Sequence, residues 1–343
     1  MLKERYGSRL TLPQYAAHKY GMKWYRVSLA VNELLKILEK LFKDLCLQAP
    51  MNLMVLALSS IAAGFIGALM GIGGGTVIVP LLTAVFGVDV KEAIAVSIVC
   101  VIATGIAGAS RYIKQNITNI RLAMFLEVST TAGALSGALL TIAAPRALLY
   151  LILSLILFYL SVSQVLTSRK EEEMVEKGEF AKLEEDLIAR KLGLSGSYYD
   201  LAERIKVEYK VRRSLWGLAA SYIAGLTSGL LGIGGGVLKV SLMNQLMNIP
   251  IKASIGTSKM MIGITASAGA AVYFLRGMVN TSLVAPIALG VTLGASIGTF
   301  VMNRLKVASL KRAFGVLLLY FAYAMMAKCL YMITGIALPG VRL

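Results

Sequence analysis

Apolar residues in this chain come in long blocks rather than alternating with polar ones. Windows nearly free of charge cover 52–87, 93–110, 122–144 and 147–167, then, after a polar interval, 215–247, 255–275, 283–302 and 314–338. A helix needs about 20 such residues to cross a bilayer core of roughly 30 Å, so most windows predict one spanning helix each. The first window of each set is too long for one crossing and too short for two. Both contain the same five residues, Gly-Ile-Gly-Gly-Gly, starting at Gly71 and at Gly232.

The motif belongs to a longer internal repeat. At the shift of 161 positions that carries Gly71 onto Gly232, and without a gap, Ser60 falls on Ser221, Lys91 on Lys252, Ser97 on Ser258 and Thr104 on Thr265. Tyr112 then falls on Tyr273, Asn119 on Asn280, Gly133 on Gly294 and Gly137 on Gly298. The predicted fold is an all-α polytopic membrane protein of about eight transmembrane helices. They form two homologous four-span repeats, each with a glycine-broken re-entrant segment, over 51–167 and 214–338.

Polar positions mark out the remainder. In residues 1–50, Leu34, Leu35, Leu38, Leu41, Phe42 and Leu45 share one helical face, with Lys36, Glu39, Lys40, Lys43 and Asp44 opposite. That pattern predicts a basic amphipathic extension at the membrane surface or against the protein's own loops, and no uninterrupted apolar stretch marks a signal peptide. Residues 168–213, rich in Lys, Arg and Glu, predict a charged cytoplasmic loop folded as a helical hairpin, and 339–343 form a short tail. Basic residues favour the cytoplasmic side. The N-terminal extension, the loop between Arg111 and Arg121 and the flanks of 168–213 are all basic, which places them together with both termini in the cytoplasm of a multi-pass protein of the cell membrane. In that arrangement the repeats run parallel, and an extra crossing in each half inverts them. Arg304, Lys306, Lys311 and Arg312 then lie outside, against the rule.

Composition narrows the chemistry. Hydrophobic residues make up 57% and charged residues 15%, against roughly 25% charged in soluble domains. The net charge of +17 resides largely in termini and loops. It sets topology and contacts membrane lipid rather than nucleic acid. Cys46, Cys100 and Cys329 have no paired spacing, and the single histidine, His18, lies in the extension, so no metal site or cofactor is implied. No convergent His, Cys or carboxylate cluster lies in the spans, which argues against an enzyme.

Two readings of the glycines compete. A phosphate cradle needs a preceding strand and a following Lys-Ser/Thr pair or distal acidic residue, and these membrane-length apolar flanks supply none. A helix break inside the bilayer is tolerated where protein covers it or it lines a watery cavity. It presents backbone N–H groups that attract anions. Gly71, Gly73, Gly74 and Gly75 in the first half and Gly232, Gly234, Gly235 and Gly236 in the second are therefore candidate substrate-binding residues. The pairs Gly133/Gly137 and Gly294/Gly298, spaced by four, predict close helix packing instead.

Ionisable residues at membrane depth are expensive and are functional candidates. Lys259, beside Thr257 and Ser258, suits an anion, and Ser97 joins them as the repeat partner of Ser258. Lys239 follows the second motif and either lies buried or snorkels to the interface. Glu127 either carries a coupled proton or forms an ion pair, with Lys259 or Arg121 as partner. Tyr112 and Tyr273 predict interfacial anchors.

The segments "GFIGALMGIGGGTVIVPLL" and "GLTSGLLGIGGGVLKVSLM", with "IKASIGTSKMMIGITASAGA", "YFLRGMVN" and "GVTLGASIGTFVMNRL", resemble the sulfite exporter TauE/SafE family of membrane permeases. The likeness extends from Asn52 to about Tyr331 and omits the basic extension and most of the charged loop. It implies export of small sulfur-containing anions such as sulfite or organosulfonates, by alternating access around the two breaks. A permease for another solute or ion, and a non-transporting sensor or scaffold, are the rival readings; assembly into a homo-oligomer stays open.

Overall fold

The computed structural model describes residues 53–69, 73–166, 184–200, 205–302 and 307–335, with the side chains of 53, 164–166, 237, 301–302 and 307–314 excepted. The amphipathic extension, Gly71, the first part of the charged loop and the tail lie outside the described residues. All described residues belong to one compact unit, Met51–Leu343.

The first half consists of α1 (Leu53–Leu69), a break, α2 (Gly75–Pro80) continuing as a π-helical turn (Leu81–Val85), then α3 (Val90–Lys114), α4 (Ile120–Ala143) and α5 (Arg146–Leu166). The second half repeats it: α7 (Ser214–Leu231), a break, α8 (Gly236–Ser241) with its π-turn (Leu242–Leu246), α9 (Ile251–Leu275), α10 (Thr281–Met302) and α11 (Val307–Thr334). The starts of α2 and α8, of both π-turns and of α3 and α9 are 161 positions apart, the shift of the sequence repeat. Seven described helices are long and apolar enough to cross a membrane; α1 is shorter. Asp89 and Asn119 accept the N–H groups of Lys91 and Leu122 and so fix the starts of α3 and α4.

Contacts between named residues fix the helix directions. On α3 and α9, Gly105 abuts Gly263, Gly108 abuts Lys259 and Gly269 abuts Ile98, so these equivalent helices are antiparallel. The same holds for α5 and α11, where Ser154 Oγ donates to Ala322 O and Ser161 Oγ to Gly315 O. By contrast α4 runs parallel to α7: Gly133 lies on Tyr222 and Leu226, and Gly137 on Leu226 and Leu230. Its counterpart α10 runs parallel to α1, Gly294 lying on Ile61 and Phe65 and Gly298 on Phe65 and Ala68. A two-fold relation that reverses equivalent helices makes the halves inverted, not parallel. The cause is the short broken helix. It runs back from the break, so α1 and α3 point the same way and each half makes an odd number of passages.

The inversion corrects the expected topology. The α3–α4 connection and the charged loop share one end, as expected from their basic residues, while α1 begins and α11 finishes at the other. The small-residue pairs pack as their spacing predicts. A Cβ on Gly133, Gly137, Gly225, Gly229 or Gly294 would overlap the facing backbone, so α4–α7 and α1–α10 approach at main-chain distance. Tyr112 and Tyr273, expected at an interface, are fully buried, and the Tyr273 hydroxyl donates to Gly229 O on α7 within the second half.

The charged loop also departs from the expected helical hairpin. Between the two halves lie α6 (Leu187–Leu192) and an antiparallel hairpin, β1 (Gly196–Asp200) with β2 (Ile205–Tyr209). The alternation of Tyr198 and Asp200 inward with Ser197 and Tyr199 outward is a strand period that the surrounding run of charges obscures. This insert sits on the ends of α4, α7 and α9. Asn119 Nδ2 donates to Leu194 O and to the Tyr209 hydroxyl, and Lys252 Nζ binds both oxygens of the buried Asp200 at 2.6 and 2.7 Å. Asp186 receives the Ser214 N–H and hydroxyl as α7 begins.

Candidate functional site

The two breaks meet. A Cβ on Gly75 would stand 2.6 Å from Gly232 O and 2.9 Å from the carbonyl carbon of Ile233. Gly73 and Gly234, at φ +86° and +74°, both rest on Val101 and Ile262, which are repeat partners halfway along α3 and α9. Gly74 and Gly235 precede α2 and α8 in left-handed conformation, at φ +81° and +62°, which glycine adopts without steric cost. The chain thus reverses twice at one place, and two helix N-termini, with N–H groups that lack intrahelical partners, start there.

Hydroxyl groups of the long helices hold the carbonyls of the breaks. Ser97 Oγ on α3 donates to Gly232 O of the opposite half at 2.9 Å, Thr104 Oγ1 to Gly73 O at 2.5 Å, and Ser258 Oγ on α9 to Gly236 O at 3.2 Å. Ser97 and Ser258 therefore lie at the breaks with their hydrogens committed to the main chain. Thr257 faces elsewhere: its Oγ1 accepts from Asn119 N and ties α9 to the start of α4. Two buried hydroxyls near the breaks, Thr76 Oγ1 and Ser228 Oγ, have no hydrogen-bond partner among the described residues. Ser228 lies against Gly235, and Thr76 follows Gly75. Neither stands out in the sequence, because the repeat pairs Thr76 with Val237 and Ser228 with Gly67.

Four charged side chains of the described helices are buried: Lys328 on α11, which donates to Thr83 O of the first π-helical turn at 2.9 Å, and Lys259, Lys239 and Glu127. Lys259 is fully buried, its stem crosses Gly108, and its ammonium reaches one main-chain oxygen, Gly67 O at 3.4 Å, at the end of α1 next to the break. Among the described residues it has no carboxylate partner. Lys239 does not snorkel; at 2% exposure on α8 it donates to Thr265 Oγ1 at 2.5 Å. Glu127 on α4 accepts from Thr265 Oγ1 at 2.6 Å and Thr131 Oγ1 at 3.1 Å, and its second oxygen lies 3.9 Å from Lys239 Nζ. The partner of Glu127 is thus Lys239, not Lys259 or Arg121. The repeat alone gives no hint of it, since Lys239 replaces Ile78 and Glu127 replaces Ala288.

A broken, inverted core with buried charge at the break is an arrangement of secondary transporters, and similarity to known proteins agrees. A family model described as "Sulfite exporter TauE/SafE" matches residues 56–325. The probable membrane transporter protein YunE of Bacillus subtilis is 25% identical over 264 residues, which cover 75% of this chain and 90% of that protein. YdhB of the same organism, also named a probable membrane transporter protein, is 25% identical over 262 residues, 76% of this chain and 93% of its own. MamO of Paramagnetospirillum magneticum, likewise named a probable membrane transporter protein, is 26% identical over 294 residues, 82% of this chain but 44% of its own length. No solved structure matches. The chain belongs to the sulfite exporter TauE/SafE family and is a multi-pass membrane transporter.

Proposed function

We propose that the protein is a permease for small sulfur-containing anions such as sulfite or organosulfonates, exporting them by alternating access with the binding site at the two glycine breaks. The observation that carries this reading is the Lys259 ammonium, fully buried beside the meeting point of the breaks and without a carboxylate partner among the described residues. An uncompensated charge in a low-dielectric interior costs several kcal/mol, which a bound anion offsets. Main-chain N–H groups at the starts of α2 and α8, with the hydroxyls of Thr76 and Ser228, supply donors for the remaining oxygens of such a guest. Gly73, Gly74, Gly75, Gly232, Gly234, Gly235, Gly236, Ser97 and Ser258 surround the meeting point of the breaks, and Thr257 positions the neighbouring connection. The inverted halves give two equivalent arrangements of one chain, and exchange between them opens the site to each face in turn.

The test is flux of sulfite, sulfate, thiosulfate, sulfoacetate and taurine in proteoliposomes, with a thermal-shift screen of the same compounds on purified protein. At least one sulfur oxyanion is expected to raise the melting temperature and to be transported. Lys259→Ala is expected to weaken its binding about 30-fold or more, the equivalent of roughly 2 kcal/mol for a truncated buried charge contact. Unchanged uptake in both Lys259→Ala and Lys259→Glu would remove Lys259 from anion recognition.

A further inference from the structure

The two halves place one matched hydroxyl differently. In the first, Thr104 Oγ1 donates to Gly73 O of its own break. In the second, Thr265 Oγ1 is drawn into the buried group of Lys239 and Glu127, donating to Glu127 Oε1 and accepting from Lys239 Nζ. The residue matched to Gly73 is Gly234, which rests on the same Val101–Ile262 pair. A second position for the Thr265 hydroxyl is thus defined by the repeat: the Gly234 carbonyl.

Glu127 has an open place for a proton. Its Oε2 is buried, lacks a hydrogen-bond partner among the described residues and stands 3.9 Å from Lys239 Nζ, beyond hydrogen-bond reach. The charged groups around it are few. Lys239 faces it from α8. α9 offers Thr265 and, six residues earlier, Lys259, whose ammonium is directed to Gly67 O. α7, which packs along α4, has no charged residue in its sequence, and Thr131 on α4 itself contributes a hydroxyl.

We propose that Glu127 is the site of a coupled proton and that its charge state sets the affinity of the neighbouring break for the anion. The inference rests on the permease reading and adds to it the coupling ion and the direction of coupling. With Glu127 ionised, its charge cancels that of Lys239, and Lys259 is the one unbalanced cation of the three. A proton taken from water onto Oε2 makes the carboxyl neutral and leaves Lys239 and Lys259 both unbalanced, so an arriving anion is held more strongly. The neutral carboxyl is also the weaker acceptor, so its hold on Thr265 loosens and the hydroxyl is left to main-chain acceptors: Met261 O of its own helix, at 2.9 Å, and Gly234 O, as Thr104 is placed on Gly73. Proton and anion then travel together, export being driven by the anion's own outward gradient, and loss of the proton on the far side lowers anion affinity where release is needed. A metal cation is a poor occupant, because the Lys239 ammonium already stands at the carboxylate.

Calorimetry of sulfite binding to the full chain, repeated at one pH in buffers of different ionisation enthalpy, reads the coupling directly. The wild type is expected to take up a proton as the anion binds and to lose affinity as pH rises. Glu127→Gln, which fixes the neutral form, is expected to bind with no proton uptake, and uptake driven by a pH gradient is expected to fall on the order of tenfold or more, the size of an ordinary coupling between two sites. Thr265→Val is expected to weaken the pH dependence while leaving Glu127 titratable. Equal proton uptake in wild type and Glu127→Gln overturns the proposal. Infrared difference spectra of wild type against Glu127→Gln, recorded without ligand, separate this failure from that of the permease reading: the carboxyl C=O band of Glu127 is expected to grow on acidification even if sulfite is not the substrate. Absence of that band from pH 5 to 9 overturns the proton site by itself.

Discussion

Lys239 and Lys259 show how position in a helix pair decides what a buried charge does. Both are enclosed, but Lys239 meets Thr265 and Glu127, whereas among the described residues Lys259 meets a single carbonyl at the end of α1. A paired charge and an unpaired one respond differently to removal. Lys239→Met leaves Glu127 uncompensated and is expected to lower the melting temperature in detergent, and Glu127→Gln is expected to recover part of that loss in the double variant. The non-additivity of the cycle should be about 0.5–3 kcal/mol, the range for residues in contact. Additive effects would show that the two groups do not interact. Lys259, Glu127 and the matched Ser97 and Ser258 were legible in the sequence as polar groups at membrane depth. The partner of Glu127 was not, because Lys239, Thr265 and Glu127 come from three helices and the repeat offers no second copy of the pair.

At the scale of elements, glycine spacing separates two duties. In α4, α7 and α10 glycines let main chains touch, while a Cβ on Gly263 in α9 would meet nothing nearer than Ile106 Cγ1 at 3.8 Å, ordinary van der Waals space. Gly137→Leu is expected to abolish the folded protein, read as loss of a monodisperse peak in detergent. Gly263→Ala is expected to be neutral or to stabilise by about 0.5–1 kcal/mol through helix propensity. The repeat made these elements legible almost to their ends, since matched sequence gave matched helices. The insert was less so: its strands span five residues each, and a run of charges reads as a solvated helix until Asp200 and Lys252 are seen to pair. Asp186 gives that insert a pH signature. Burial pushes its carboxyl up, but the Ser214 and Ala189 N–H groups and the Ser214 hydroxyl together bring it below its usual value of 3.8. A depressed folded value stabilises above the unfolded one and is lost as pH falls through it. Protease nicking within the insert is therefore expected to rise below about pH 4 in the wild type. It is expected to be high throughout in Asp186→Ala.

For the whole molecule, inversion is what the sequence alone left undecided. Charge counting favoured parallel halves because it treated α1 and α3 as opposed. The broken helix between them runs back from the break, and the two point the same way. Lys114 and Arg276 close equivalent helices and are exposed, so single cysteines there test the arrangement in a cysteine-free background. Inverted halves predict that Lys114→Cys and Arg276→Cys react with an impermeant maleimide from opposite faces of the membrane; labelling from the same face would restore the parallel fold. The central claim is that the breaks touch and together bind the anion, and Gly75 tests it most directly because its Cα faces Gly232 across the halves. Sulfite binding by calorimetry is expected to be lost in Gly75→Val and retained in Gly263→Ala, with both variants inserted and monodisperse. Wild-type affinity in a correctly folded Gly75→Val protein would contradict the account.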